Sequence, residues 1–355
     1  MQADHPEVTV HVIIPARNEA DCIGRCLESL AGQQGIAFRI TVVDDGSTDG
    51  TRAIAESFPG VCVIAAGEPA PGVMGKCNAL ITGAKGSTAT WLLFTDADTV
   101  HYPGSLAAAV HEAEERRVDL LSYSPEQETG SWGERALLPL VFADLVRTYP
   151  PERVNDPADP TVAANGQYIL VRRQVYESLG GHQAVAGNIL EDVELARIVK
   201  VPGHKIWFRH GAGLVRTRMY RGFLAMCEGW TKNLALLFPY PLALAARRGL
   251  EFLGISFLLV AALGFGALGH SSLGLFLLAV ALLIYSGILL RIARAHFPVI
   301  ANLMAFFGLP LFVSLLVRSY IHTRVEGEVT WKGRKYRQSA PKQPADSSTQ
   351  GSKLI

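Results

Sequence analysis

The 355 residues carry 33 Lys+Arg and 32 Asp+Glu, a formal net charge of +1, so no basic field points to nucleic acid. Charged residues make up 18% of the chain, below the ~25% of an ordinary soluble domain, and the deficit is local: Gly249–Leu290 holds only Glu251, and Ala295–Val317 holds no formal charge. This excludes a uniformly soluble chain, and it excludes intrinsic disorder except in the Ser/Gln/Pro/Lys-rich tail from Gln338 onward.

Strand and helix patterns alternate from the start. Val8–Ile14 is β-branched and strand-like, ending at Pro15. Ala20–Ala31 has helical spacing, with Ile23, Leu27 and Leu30 on one face. Phe38–Val43 is a second strand, followed by Asp44-Asp45-Gly46. Asp49–Phe58 reads as a helix, Val61–Ala65 as a strand and Gly75–Ala84 as a helix. Thr90–Phe94 is a fourth strand, followed by Asp96-Ala97-Asp98. Four strands separated by helices predict an α/β domain with a mostly parallel sheet covered by helices. Ligands of such sheets bind beyond the carboxyl ends of the strands, where both acidic clusters fall. The five cysteines (Cys22, Cys26, Cys62, Cys77, Cys227) form no C-x-x-C pair, and no basic segment precedes an apolar run at the N-terminus. A reduced, cytoplasmic setting for this domain is expected.

One acidic side chain after a strand is usually a helix cap or turn former, as Asp49 is expected to be. Two acidic clusters on one sheet edge repel each other unless a cation or a donor-rich ligand compensates. Asp96 and Asp98 are two apart, which in extended chain turns both carboxylates to one face. Oxygen ligands at that spacing suit Mg²⁺ or Mn²⁺ bridging a diphosphate. Asp45, Ser47, Asp49, Gly50 and Glu56 also match positions of a calcium-binding EF-hand loop. That loop needs a preceding helix, and Phe38–Val43 is β-branched, so the calcium reading is rejected. No G-x-G-x-x-G follows the first strand, which excludes a dinucleotide-binding dehydrogenase.

Five motifs in order then resemble the family 2 glycosyltransferases, inverting enzymes with a GT-A nucleotide-sugar-binding fold. They are Pro15-Ala16-Arg17-Asn18-Glu19, Val43-Asp44-Asp45-Gly46-Ser47-Thr48-Asp49, Gly75-Lys76-Cys77-Asn78-Ala79-Leu80, Thr95-Asp96-Ala97-Asp98 and Glu191-Asp192. The resemblance covers roughly Val8 to Asn233. It implies that Pro15, Arg17 and Glu19 line the nucleotide pocket, with Asp44, Asp45 and Asp96 among the donor-binding residues. Lys76 would set a cation near the diphosphate, at a helix start that also favours anions. Asp98 and Asp96 would hold the divalent metal. Asp192 would be the general base that deprotonates the acceptor. Glu191, His182, Trp230 and Lys232 would belong to the acceptor and leaving-group region, with Asn165-Gly166-Gln167 on its border.

Many lipid and polysaccharide members carry Gln-x-x-Arg-Trp after the base. Here Met226-Cys227-Glu228-Gly229-Trp230-Thr231-Lys232-Asn233 keeps the Trp and lacks the Gln and Arg. This argues against a processive polysaccharide synthase and leaves Arg216, Arg218 or Lys232 as the cation that helps the leaving group. With Trp331-Lys332-Gly333-Arg334-Lys335-Tyr336 in the tail, the sequence is similar to the carotenoid (diaponeurosporenoate-type) branch, near the hopanoid and ceramide enzymes.

Leu250–Gly269 is 20 residues, about 30 Å as a helix and enough to cross a bilayer. A second span is expected from Leu273 to about residue 293, after the turn His270-Ser271-Ser272. Arg247 and Arg248 precede this hairpin and Arg291 and Arg294 follow it, so both flanks read as cytoplasmic. Pro298–Ile321 is a third apolar segment, broken by Pro310 and carrying Asn302. If it spans, the basic tail lies outside, against the positive-inside rule; otherwise it is re-entrant or interfacial. The expected organisation is a catalytic domain over 1–233, an interfacial segment 234–248, a membrane domain 249–321 and a basic tail 322–355. Leu234–Ala246 and the apolar face of Ala136–Val146 are the expected path for a lipid.

The expected protein is a membrane-bound, metal-dependent, inverting glycosyltransferase of multi-pass topology. It moves glucose from a UDP-sugar to a carotenoid, hopanoid or sphingolipid acceptor at the cytoplasmic face. The alternatives are a polyprenyl-phosphate glycosyltransferase and a non-catalytic nucleotide-sugar-binding membrane scaffold.

Overall fold

The computed structural model describes residues 8–326, 328–331 and 334–337. The chain opens with β1 (Val10–Ala16), α1 (Ile23–Ala31), β2 (Phe38–Asp44), α2 (Thr51–Glu56), β3 (Val61–Ala65), α3 (Gly75–Ala84) and β4 (Trp91–Thr95). β5 (Thr99–His101), α4 (Ser105–Glu115), β6 (Leu120–Ser124), β7 (Glu126–Gln127), α5 (Trp132–Thr148), α6 (Pro151–Val154) and β8 (Tyr168–Arg172) follow. Next come α7 (Arg173–Ser178), α8 (Gly181–Ala184), α9 (Glu191–Lys200), β9 (Ile206–His210), β10 (Val215–Thr217) and α10 (Phe223–Leu237). The last described elements are α11 (Pro241–Ala267), α12 (Ser271–Ala293), α13 (Val299–Tyr320), a helical turn Ile321–Glu326, β11 (Glu328–Trp331) and β12 (Arg334–Arg337).

A seven-stranded sheet has the order β3-β2-β1-β4-β8-β6-β9. The four strands read from sequence are mutually parallel, and β8 is antiparallel to both neighbours, so the sheet is mixed but mostly parallel. The order reverses at β1, between β2 and β4, and that reversal opens a crevice at the carboxyl edge. Successive β1 side chains serve opposite faces. Val12 and Ile14 join α1 and α4 in one core, while Ile13 joins α3 and α9 in the other. Both faces are therefore covered, which explains why β1 is apolar without alternation. α3 lies so close that a Cβ on Gly83 would sit 2.5 Å from Ile13 Cγ2.

Three histidines lie inside this domain. His11 is held between Ser87 Oγ (3.0 Å) and Thr41 Oγ1 (2.8 Å). Burial, with Arg39 nearby, lowers its pKa to about 4. Burial lowers His101 to about 3 and His182 to about 4. All three lie below the ordinary histidine value, so the unfolded chain binds more protons as pH drops. Their stabilising contribution is complete above about pH 6.5 and is lost on acidification, at up to about 1.4 kcal/mol per pH unit per histidine. Thermal unfolding in detergent should show a falling midpoint from pH 7 to pH 5, and His11→Gln should flatten that slope. A midpoint independent of pH in this window contradicts the assignment.

The C-terminal helices differ from the sequence reading in two ways. α11 begins at Pro241, nine residues before the expected span, because proline is preset for a first helical position. The preceding break at Phe238–Tyr240 separates it from α10. α13 passes through Pro310 without a break. The lost N–H is tolerated because α13 is packed against α5, so closely that a Cβ on Gly308 would meet the Ala136 carbonyl. Three helices are long and apolar enough to cross a membrane by length and composition: Pro241–Ala267, Ser271–Ala293 and Val299–Val325. α11 and α12 form a hairpin in which Gly274 approaches the Ala262 carbonyl, a close backbone packing usual between apolar helices. At its base Arg248 is fully buried and pairs with Asp144 of α5, while Arg291 of α12 donates to Glu251 of α11 at 2.9 and 3.0 Å. The disorder expected from Gln338 onward, and Lys332 and Gly333 of the tail motif, lie outside the described residues.

Candidate active site

The loops after β1 and β2 are tied to each other. Asn18 Oδ1 accepts the Thr48 N–H at 2.8 Å, and the Asn18 N–H donates to Ser47 Oγ at 3.1 Å. Asn18 itself has φ +53°, a left-handed conformation that its short amide tolerates. The Glu19 N–H donates to Thr51 Oγ1 at 2.7 Å, and this turn delays α1 to Ile23. Arg17 Nη1 donates to the Asp45 carbonyl at 2.6 Å and stands 3.9 Å from its carboxylate. Asp44 accepts the Ser47 N–H at 3.1 Å, which makes it a turn former. Asp49 Oδ1 accepts the Thr51 N–H at 3.0 Å, so its expected role at a helix start holds.

A cavity of about 470 Å³ lies at this edge. Pro15, Arg17, Glu19, Asp45, Lys76, Asp96, Asp98, Glu191, Asp192 and Lys232 all line it. Residues from six separate stretches of sequence are thus brought together. Lys76, second residue of α3, places Nζ 2.8 Å from Asp96 Oδ1 and 3.0 Å from Glu191 Oε1. Burial alone would lower its pKa, but the Asp96 and Glu191 carboxylates hold it well above the ordinary lysine value. Burial raises Asp96, against the pull of Lys76. Lys232 is lowered, chiefly by burial.

Asp192 opens α9. Its Oδ2 accepts the Gly166 N–H and its Oδ1 accepts the Val193 N–H, both at 2.8 Å. Burial and the adjacent Glu191 charge raise its pKa to about 6, and Lys76 and the two amides oppose them. A carboxylate held there is ionised near neutral pH yet basic enough to take a proton. Two lining residues, Gln167 and Asn233, keep a buried side-chain oxygen (Oε1 and Oδ1) without a partner among the described residues.

Three of the expected residues do not reach the cavity. Asp44 forms the turn just described. His182 is buried between Tyr176, whose hydroxyl is 3.1 Å from Nδ1, and the Phe94 ring at 4.6 Å. Trp230 is buried between Phe142 and Tyr220, in the core that faces the apolar helices. Arg216 points elsewhere, to Glu128 at 3.2 Å, whereas Arg218 lines the cavity. The sequence reading missed Met219, Tyr220 and Arg221, which form a wall between β10 and α10. The cluster of Arg216, Arg218 and Arg221 before a helix was the available signal.

Among the described residues no group of three or more His, Cys, Asp and Glu side chains surrounds a common centre. Asp96 and Asp98 share the cavity, so the chain offers two carboxylates. That donor set fits Mg²⁺ or Mn²⁺, ions that take one or two carboxylates and fill their remaining positions from phosphate and water.

Residues 11–180 match the family model Glycosyl transferase family 2. A 4,4'-diaponeurosporenoate glycosyltransferase of Staphylococcus aureus (strain MRSA252) is 30% identical over 241 residues, 65% of this chain and 62% of that protein. The chain thus spans about 62% of the length of this curated relative. The protein of the same name in strain USA300 is 28% identical over 240 residues, with the same shares covered. Among solved structures, a mannosyltransferase from Pyrobaculum calidifontis in complex with GDP-Man and Mn²⁺ superposes with a TM-score of 0.50. It is 19% identical, and the match covers 90% of this chain and 88% of that one. The fold is the mostly parallel α/β arrangement of GT-A glycosyltransferases, followed by three apolar helices.

Proposed function

We propose, from the match of residues 11–180 to the family 2 glycosyltransferase model, a membrane-bound inverting glycosyltransferase moving one glucose from UDP-glucose to a lipid acceptor at the cytoplasmic face. The observation that carries this is the convergence of Asp192, Lys76, Asp96 and Asp98 on one cavity at the carboxyl edge of the sheet. Two further findings support it. The relatives are named for glycosylating diaponeurosporenoate, and the solved neighbour carries a nucleotide sugar with Mn²⁺.

In this reading Arg17, Glu19 and Asp45 hold the nucleoside, and Lys76 lies against the diphosphate. Asp96 and Asp98 would hold a divalent ion, which when bound would neutralise charge on the departing diphosphate. The Gly166 amide keeps the Asp192 carboxylate in place. Asp192 takes the hydroxyl proton as the acceptor oxygen bonds to the anomeric carbon. The bond from that carbon to the diphosphate oxygen breaks on the opposite face, which inverts the centre. The ion pairs of Lys76 with Asp96 and Glu191 keep these two carboxylates compatible in one pocket.

The test uses purified protein in lipid nanodiscs with UDP-[¹⁴C]glucose, followed by lipid extraction. Label should enter a hydroxyl or carboxyl lipid, Mn²⁺ or Mg²⁺ should stimulate it, and Asp98→Ala should lose that stimulation. Label in added polyprenyl phosphate alone moves the acceptor to a carrier lipid. Full metal-stimulated transfer by Asp98→Ala overturns the reading.

A further inference from the structure

We propose that α13 does not cross the membrane. It lies along the interface on the catalytic side and docks the domain on the lipid monolayer, so the chain crosses only twice. This rests on the membrane reading of the hairpin but not on glycosyl transfer.

Both ends of α13 meet the catalytic domain. Just before it, His296 sits at φ +61° and turns the chain, with its ring stacked on His210 of β9 at 4.7 Å. Phe297 lies 5.7 Å from Phe142 of α5. At the other end, Ser319 Oγ accepts the Ala235 N–H of α10 at 2.8 Å. The chain then stays there, for the turn Ile321–Glu326 and the backbone of β11 lie beside α10. α10 carries Lys232 into the cavity, so the described segment after α13 returns to the catalytic side. Three crossings would put that segment across the bilayer from α10; two allow the contact.

The level of α13 agrees. Its Phe306 ring packs on Phe252 at 5.2 Å, and the Tyr285 hydroxyl donates to the Leu303 carbonyl at 2.7 Å. Phe252 follows Glu251, which joins Arg248 and Arg291 in the charged belt at the base of the hairpin. The belt marks where the uncharged stretch begins. Toward the hairpin turn, Leu263, Leu268, Leu275 and Phe276 are 63–76% exposed, so the tip stands out alone.

α13 has two apolar faces. Ala301, Ala305, Leu309, Phe312 and Leu316 are buried against the protein. Val299, Ile300, Leu303 and Phe307 form the other face and are 53–72% exposed. The Phe307 ring lies 5.9 Å from Trp132, itself 61% exposed, and the patch continues through Phe223 and Leu224 to Ala225 on the cavity wall. A continuous apolar surface beside a charged belt fits the acyl–headgroup boundary of one leaflet. It also gives a lipid a route to the cavity other than Ala136–Val146, most of which is buried.

Oriented vesicles and a membrane-impermeant maleimide test this. Exposed Cys62 in β3 marks the catalytic side. Ser271→Cys, at the hairpin turn, should label only from the opposite side, and Ser352→Cys only from the Cys62 side. A fluorophore at Leu303→Cys should be quenched more by nitroxides near the headgroup than by nitroxides at the acyl end. Labelling of Ser352→Cys from the far side, or stronger quenching by the deep nitroxide, overturns the proposal. Ser271→Cys labelled from the Cys62 side removes the membrane reading of the hairpin and the proposal with it.

Discussion

Replacing Asp192 with Asn should lower lipid glycosylation by about 10²–10⁴-fold, the range for losing a general base. Asn keeps the size of the side chain but accepts through one oxygen, so either the Gly166 or the Val193 amide loses its acceptor. Donor affinity, measured by UDP-glucose binding, should hardly change. The wild-type rate should rise with pH through about 6, because the carboxylate is the active form and burial with Glu191 sets its ionisation there. The variant should lack that rise. A second sign separates lost chemistry from lost folding. The folded pKa of Asp192 is above the unfolded one, so its ionisation opposes folding as pH rises. Asp192→Asn removes this loss, so its unfolding temperature should gain relative to that of wild type between pH 5 and pH 7.5. Full transfer with an unchanged pH profile would exclude Asp192 as the base.

The largest expected stability loss lies far from the cavity. Arg248 has no exposed side-chain surface, and its guanidinium bonds both oxygens of Asp144, including Oδ2 at 2.9 Å. Arg248→Met should cost about 3–5 kcal/mol, because it strands a buried carboxylate. Arg247 stands 3.8 Å from Asp144 but is 42% exposed, which makes it a weak substitute. The double variant Arg248→Met/Asp144→Leu should recover most of the loss. Thermal unfolding of wild type, the single variant and the double variant in detergent measures this. Equal losses in the single and double variants would show that the pairing is not what Arg248 contributes.

Much of the fold could be read because local pattern and tertiary role agree. β1, β2 and β3 are rich in β-branched residues, β4 is a short apolar run, and each is a strand within a few positions of its expected limits. The antiparallel β8 and the short sheet β5-β10-β7 could not be read. Their pairings join residues far apart in sequence, as Thr217 with Thr99 and Phe94 with Ile169, and no local period encodes them. At the site, motifs located the acidic and basic residues because each sits at a strand end or helix start. His182 and Trp230 were placed by motif neighbourhood alone, and apolar packing drew both into cores instead. Arg248 read only as a flanking positive charge, since its partner Asp144 lies 104 positions earlier on another helix.

The cross-links between the β1 and β2 loops bear on selectivity. Asn18, Ser47 and Thr48 already hold one another, and Glu19 is fixed to Thr51. A wall ordered in advance has little backbone entropy left to lose when a ligand arrives. It is also slow to reshape itself around a poorly fitting base. Discrimination among nucleotides would then come from rigidity at this edge, while the apolar surface at the opposite mouth can tolerate acceptors of varied shape.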